Sequence, residues 1–133
     1  MFYRFDTEVP LRWVDVDSAG VVNNAVYLSM MEQARYAYFT HLGLMTDHVV
    51  PFVLAQATVQ WLRPGRIGMR VTVATATTRL GTSSFDMRYE VRAGEEVLCK
   101  GHATLVYVDA QTRSCPMPPE FRETVAQFEE LAG

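Results

Sequence analysis

The segment from Asp15 to Arg35 holds the residues best suited to do chemistry: a carboxylate loop directly before a long apolar stretch. Asp17 stands a few residues ahead of a predicted helix that begins near Asn24. The start of a helix presents unpaired N–H groups and a partial positive charge. A carboxylate beside such donors suits reactions on a polarised carbonyl, where one group attacks or activates water and the other stabilises an oxyanion.

Two aspartates, Asp15 and Asp17, precede Gly20, and only one of them is needed to cap the turn that this glycine indicates. We assign the structural task to Asp15 and the reactive one to Asp17, against the plainer interpretation that Asp17 caps the turn. Gly20 permits an unusual backbone angle or the close approach of a ligand. Asn23 or Asn24 is expected to cap the helix, and the N–H groups behind them are expected to face a substrate oxygen.

The predicted helix runs to about Leu42 and ends at Gly43, a residue type typical of the position after a helix. Apolar residues cover most of its circumference, which is typical of a buried helix that the rest of the chain wraps. Between positions 24 and 40 its only charged residues are Glu32 and Arg35, which are spaced to form an ion pair. Glu32 is a further catalytic candidate, able to orient the loop or a water.

Consecutive strands with short turns fill most of the remaining chain and predict an antiparallel sheet. These strands are expected over residues 52–62, 69–79, 83–93 and 96–109. A first strand is expected over 3–14, interrupted or placed at an edge by Pro10, and a tight hairpin over 92–95. One long helix and one curved sheet predict a single α+β domain over 1–133, with a loose tail and a short helix over 116–133.

The composition excludes several classes of partner. The chain has 133 residues, 49% of them apolar and 20% charged, and its net charge of −3 with no basic run argues against nucleic acid or an anionic membrane. No apolar run approaches the ~20 residues that span a bilayer, and we expect no signal peptide, because the first residues do not show a basic segment followed by an apolar one. Cys99 and Cys115 are isolated, which favours a reducing compartment and predicts a cytoplasmic protein.

Other catalytic motifs are missing from the sequence. His41, His48 and His102 lack the spacing of a metal site or a triad, and we expect them to be structural. No phosphate-binding loop or zinc-protease motif occurs, and segment 81–85 lacks the second glycine of a nucleophile elbow. We therefore expect no metal and no cofactor.

The Asp15–Arg35 region resembles a known family. The strings that carry the resemblance are R-W-V-D-V-D-S-A-G-V-V-N-N-A-V-Y-L at 12–28 and M-E-Q-A-R at 31–35, and segments 59–65, 79–85 and 103–109 extend it over residues 8–120. The chain is similar to hotdog-fold acyl-CoA thioesterases of the 4-hydroxybenzoyl-CoA thioesterase family. This implies a curved antiparallel sheet wrapped around one long central helix, dimers that often form a homotetramer, and an active site at the dimer interface.

The resemblance implies that Asp17 is the catalytic carboxylate and that the backbone N–H of Asn24 donates to the oxyanion. The residues expected to bind substrate are Gly20, Val22, Asn23, Tyr27, Arg63, Arg79, Ser83 and Ser84. Arg63 and Arg79 are either ordinary surface charges or contacts for the phosphates of a nucleotide-like carrier. Many relatives have histidine where this chain has Val21 and Asn24, which argues against a histidine-assisted mechanism.

The expected reaction is hydrolysis of an acyl-CoA thioester to the free acid and CoA. A thioester of acyl carrier protein is the alternative substrate, and a non-catalytic protein that binds acyl thioesters is the alternative outside enzymes. Asp17 argues against mere binding, because a binder has little use for a carboxylate at the carbonyl. Whether Asp17 attacks the carbonyl or takes a proton from water stays open at this point.

Overall fold

The computed structural model describes residues 2–45 and 50–131, so the prediction for His48 lies outside the described residues. The elements in chain order are β1 (Asp6–Glu8), a 3-10 turn (Trp13–Asp15), α1 (Val26–His41), β2 (Phe52–Trp61), β3 (Val71–Leu80), β4 (Ser84–Ala93), β5 (Glu96–Tyr107) and α2 (Pro119–Glu129). No described helix has the length and apolar character required to cross a bilayer.

The five strands form one antiparallel sheet in the order β1-β3-β4-β5-β2. Alternate residues of β4 are fully buried, as the period-two pattern predicts, whereas β3 is buried on both faces from Val73 to Thr77. The buried side chains of the sheet and helix include Val73, Phe85, Met87, Leu105, Met31, Ala34 and Tyr38. This is the hotdog arrangement that the resemblance implies, and the α+β prediction is confirmed.

The predictions for β2 to β5 and for the 92–95 hairpin agree with the structure to within two residues, and Gly94 takes the left-handed conformation (φ +61°) that the tight turn requires. The first predicted strand is much shorter than expected, because only residues Asp6–Glu8 pair with β3. Pro10 has no N–H to donate to a ladder, and the chain turns at Trp13–Asp15 before it reaches the aspartate loop.

Helix α1 differs from prediction at its start and on one face. Ala25 is the N-cap and no side chain caps the helix, so the prediction of an asparagine cap is wrong. The first turn is closed by backbone bonds, such as the Val26 N–H to the Asn23 carbonyl (3.0 Å). Gly43 (φ +73°) does follow the helix. The exposed face includes Leu28 and Ser29, so the sheet wraps only part of the helix.

The C-terminal segment contains the predicted short helix, α2, but the residues that lead into it are not a loose tail. The Met117 N–H donates to the Thr82 carbonyl (3.0 Å), and Met117 itself is buried. Helix α2 then places Phe121 against Phe39 and Phe85 in the core beside α1. The prolines at the start of this segment restrict its backbone angles, and the packing of Phe121 against the core holds α2 in place.

Candidate active site

The aspartate loop is a hairpin whose turn is closed by Asp17. The Asp17 N–H donates to the Val21 carbonyl (2.9 Å), and the Gly20 N–H donates to the Asp17 carbonyl (2.9 Å). The Asp17 carboxylate accepts through Oδ1 from the N–H groups of Ala19 (2.9 Å) and Val21 (3.1 Å). Gly20 is left-handed (φ +76°), which favours glycine there. The expectation that Asp15 rather than Asp17 caps this turn is therefore wrong.

The same turn recurs at Asp109, in the segment between β5 and α2. Asp109 Oδ1 accepts from the N–H groups two and four residues later, Gln111 (2.9 Å) and Arg113 (3.0 Å). Its backbone bonds also match those of the Asp17 turn, and Thr112 holds the left-handed position (φ 61°) that Gly20 holds in the first loop. The capped turn alone is thus a structural device, and what sets Asp17 apart is its surroundings.

Asp15 has a structural role, as expected, but through a different partner. Its buried carboxylate accepts from the backbone N–H of Arg12 (2.8 Å) and from the Arg12 guanidinium (2.8 Å). The hydrogen bond from Arg12 lowers the pKa of Asp15 below its ordinary value. Its carbonyl accepts from the Asn23 N–H (2.9 Å). Asp15 therefore links both ends of the loop in the ionised state.

The turn after β2 clamps the aspartate loop in place. Val22 donates its N–H to the Gly65 carbonyl (2.8 Å), and Ile67 donates to the Gly20 carbonyl (2.9 Å). Tyr27, in the first turn of α1, also accepts through Oη from the Gly65 N–H (3.0 Å). Tyr27 is buried in the core, and burial raises its pKa. Three predicted site residues therefore meet at this clamp: Gly20, Val22 and Tyr27. Tyr27 supports the clamp and does not line a pocket there.

The start of α1 lies directly beyond the clamp. Within the described part of the chain, no protein acceptor takes the N–H of Asn24, which lies one residue before the N-cap Ala25. The Asn24 carbonyl accepts from the Trp61 indole N–H (3.3 Å), which brings the end of β2 against the helix start. Trp61 is half-exposed and was not among the predicted site residues. Its place before the Pro64-Gly65 turn is the one signal in the sequence that points to it.

The predicted carrier contacts divide into two groups. Arg63 is exposed in the clamp turn, beside the aspartate loop. Arg79 instead donates to both oxygens of Asp86 (2.8 and 3.0 Å), and this bond lowers the pKa of Asp86. Ser83 and Ser84 lie with Arg79 at the β3–β4 hairpin, about 30 Å along β3 from the clamp. One chain therefore does not bring Arg79, Ser83 or Ser84 to Asp17.

The predicted Glu32–Arg35 pair forms, although loosely. Arg35 is buried and Glu32 is exposed, with 3.8 Å between Arg35 Nη2 and Glu32 Oε2. The Arg35 guanidinium also donates to Tyr89 Oη (2.9 Å). Glu32 lies about two turns along α1 from its start. The described residues contain no cluster of histidine, cysteine and acidic side chains suited to a metal ion.

Comparisons with known proteins agree on one family. The model of the Thioesterase-like superfamily matches residues 11–125. A 1,4-dihydroxy-2-naphthoyl-CoA hydrolase from Nostoc punctiforme is 29% identical over 109 residues, which are 78% of this chain and 74% of that protein. The acyl-CoA thioester hydrolase YbgC of Escherichia coli O6:H1 is 28% identical over 135 residues, 95% of this chain and 96% of YbgC.

A solved structure supports the same grouping. The crystal structure of a thioesterase from Thermus thermophilus, complexed with coenzyme A and Zn, superposes on this chain with a TM-score of 0.87. The two sequences are 36% identical, and the match covers 98% of each chain. The hotdog fold and the thioesterase grouping therefore extend over nearly the whole length.

Proposed function

Because the chain belongs to the Thioesterase-like superfamily and is a thioester hydrolase, we propose that it hydrolyses acyl-CoA with Asp17 as its catalytic carboxylate. The observation that carries this assignment is the clamp that joins the Asp17 turn to the Asn24 N–H, which has no acceptor among the described residues and lies just ahead of α1. The Asp109 turn has the same carboxylate geometry, and among the described residues no backbone hydrogen bond joins it to the start of α2. Asp17 therefore combines a negative charge with a positive helix end, which is the pairing that carbonyl chemistry requires.

The arrangement supports two routes to the free acid. In both, the thioester oxygen accepts from the Asn24 N–H, so that negative charge develops beside the partial positive charge of α1. In one route Asp17 attacks the carbonyl carbon, the sulfur leaves as thiolate, and water then hydrolyses the mixed anhydride. In the other, Asp17 takes a proton from water as the water attacks, and the tetrahedral intermediate expels the thiolate. Asp17 uses Oδ1 in the turn, so Oδ2 is the atom that reacts.

Coenzyme A is the carrier that we propose, on three grounds. YbgC and the Nostoc relative are both named for CoA thioesters, and the Thermus thermophilus structure contains coenzyme A. Arg63 in the clamp turn is exposed beside the aspartate loop and suits a phosphate group. Arg79 does not, because Asp86 already neutralises it. Glu32 is too exposed and too far along α1 to act on the carbonyl, so we propose no chemical step for it.

A thiol-release assay across an acyl-CoA panel tests the proposed function. The panel spans short, long and aromatic acyl groups, and the same acyl groups on acyl carrier protein form the second arm. We expect turnover on at least one class of acyl-CoA, with higher kcat/KM than on the matching acyl carrier protein. Turnover confined to the carrier protein would move the assignment to an acyl-ACP thioesterase. Tight binding of acyl-CoA without thiol release would make the protein a binding module.

We further propose that the enzyme works as a dimer joined along β2. This strand lies at the sheet edge, carries no charged residue in ten positions, and exposes Val53 and Leu54. Monomeric proteins protect such edges with charges, prolines or short strands. A second copy, related by a two-fold axis at the middle of β2, would extend the sheet in antiparallel fashion. It would also bring the partner's 79–84 hairpin to the Trp61 end of β2, toward the Asp17 loop.

A charge pair placed at this axis tests the dimer. Gln56 and Thr58 lie near the middle of β2, on the face that points away from α1. Changing both to glutamate places four like charges around the axis, and we expect the dimer Kd to rise about tenfold or more. Acyl-CoA turnover should fall with it. Light scattering against the 15.0 kDa chain mass, as a function of concentration, measures the effect.

Gln60→Glu is the matched control for this pair, because Gln60 lies on the same face of β2 but toward its end, opposite Lys100. The new carboxylate there faces a lysine rather than its own copy, so association should be unchanged. Equal association of the double variant, the control and the parent would rule out pairing along β2.

A further inference from the structure

Arg35 is a buried cation with few partners. Its side chain is 8% exposed and donates one hydrogen bond, from Nη1 to Tyr89 Oη (2.9 Å), to the described residues. A guanidinium has five N–H donors. Among the described residues the nearest carboxylate oxygen, Glu32 Oε2, is 3.8 Å away on a side chain that is 79% exposed, and the Tyr89 ring centroid lies 6.0 Å from Arg35 Cζ. A buried charge with so little compensation is costly to the fold.

Arg35 borders two spaces on the exposed side of α1. One is a cavity of about 120 Å³ between α1 and strands β2, β4 and β5, with apolar walls that include Leu28, Met31, Leu54, Ala57 and Ala103. The other is a groove of about 1030 Å³ that extends along α1 from Val26 to Tyr36. Ser29, Glu32 and Arg35 border both spaces. The positive charge therefore lies where a group entering along α1 meets an apolar cavity.

Resting on the proposed function, we propose that Arg35 binds a carboxylate at the end of the substrate's acyl group that is remote from the thioester. The planar fork of a guanidinium fits a carboxylate with two parallel hydrogen bonds. Glu32 is solvated, so it balances little of the charge inside the cavity. An anionic group is therefore favoured there over a neutral one.

The spacing along α1 sets the length of that acyl group. Asn24, the proposed oxyanion donor, and Arg35 are separated by about three turns of helix, or roughly 16 Å. Side chains on a helix lean toward its N-terminus, so the guanidinium lies somewhat closer than its backbone. The chain that joins thioester and carboxylate must therefore be of medium length, as in suberoyl-CoA or sebacoyl-CoA. Succinyl-CoA is too short to reach both sites.

Matched substrate pairs test this specificity. Suberoyl-CoA and octanoyl-CoA share a chain length and differ in the terminal carboxylate, and sebacoyl-CoA and decanoyl-CoA form a second pair. We expect the parent to prefer the acid-terminated member by about tenfold or more in kcat/KM, mainly through KM. Arg35→Met should bring this ratio to about one or below. Arg35→Lys keeps the charge without the fork and should give an intermediate ratio.

A second variant separates lost recognition from lost fold. Tyr38→Phe removes a buried hydrogen bond elsewhere in the core, so it lowers stability without touching the cavity. Its preference ratio should equal that of the parent, whereas a general loss of structure would alter both variants alike. A parent without preference for either acid-terminated thioester, or an Arg35→Met variant with the parent's ratio, would overturn the proposal.

Direct binding distinguishes failure of this proposal from failure of the proposed function. Calorimetry with suberoyl-CoA and octanoyl-CoA reports the carboxylate contact even if neither thioester is cleaved. Tighter binding of suberoyl-CoA that Arg35→Met abolishes would support the site while the hydrolytic function fails. Hydrolysis of both thioesters with equal KM and equal affinity would support the function and reject the site.

Discussion

Asp17→Asn is expected to lower kcat/KM for acyl-CoA by about 10²–10³-fold or more while the chain stays folded. Asparagine retains an Oδ1 that accepts from the Ala19 and Val21 N–H groups, so the turn is preserved. Its amide replaces Oδ2 and removes the negative charge, so it neither attacks a carbonyl nor takes a proton from water. Steady-state thiol release, with thermal unfolding followed by circular dichroism, measures both parts of the result.

Asp109→Asn is the matched control, because the chain builds the same turn a second time. Asp109 accepts from N–H groups two and four residues later, as Asp17 does, at a position that no proposed step uses. The two substitutions should therefore change stability alike, and only Asp17→Asn should change turnover. Parental kcat/KM in Asp17→Asn would make Asp17 a turn residue and remove the proposed mechanism.

Much of the fold follows from local signals in the sequence. Alternating polarity in β4 places its buried side chains on one face, and Gly94 closes the hairpin that the turn residues indicated. The aspartate loop was located for the same reason, since Asp17 and Gly20 are residue types that turns select. The sequence does not show which aspartate closes the turn, because the hydrogen bond from Arg12 to Asp15 appears only in the fold. Both Asp15 and Asp17 are close in sequence to Arg12 and to the turn at Gly20. Only the folded structure shows which aspartate pairs with Arg12 and which one caps the turn.

The parts that sequence could not supply depend on distant contacts. Trp61 contacts the start of α1 from the end of β2, and its place before the Pro64-Gly65 turn does not predict the bond to Asn24. In the sequence Arg79 has no evident ion-pair partner, and the register of β3 and β4 places Asp86 opposite it. The open face of α1 likewise reflects the position of β2 at the sheet edge. An apolar helix seen in sequence does not reveal whether its own chain or a second copy covers it.

Glu129→Ala is expected to lower the free energy of unfolding by about 2–5 kcal/mol. The Glu129 carboxylate is buried in α2 and accepts through Oε2 from Tyr38 Oη–H (2.6 Å) and from the Thr77 N–H (2.8 Å). Burial and the bond to Glu129 raise the pKa of Tyr38, so the phenol stays protonated as a donor. Alanine leaves both donors buried without an acceptor. Denaturant unfolding at neutral pH measures the loss.

Glu130→Ala, the next residue, is the control for this change. Its side chain is 75% exposed and pairs with Arg4 at the surface, where an ion pair contributes about 0–1 kcal/mol.

Tyr38→Phe removes one of the two donors to Glu129 and should lower the free energy of unfolding by less than Glu129→Ala, about 1–2 kcal/mol. In the double variant the Tyr38 change should add little, because the bond it removes is already gone. Equal losses at positions 129 and 130 would show that α2 is held by apolar packing alone. A larger loss at position 129 than at position 130 would show that the buried Glu129 carboxylate holds α2 in place. Because α2 places Phe121 in the core beside α1, this carboxylate would also stabilise that part of the core.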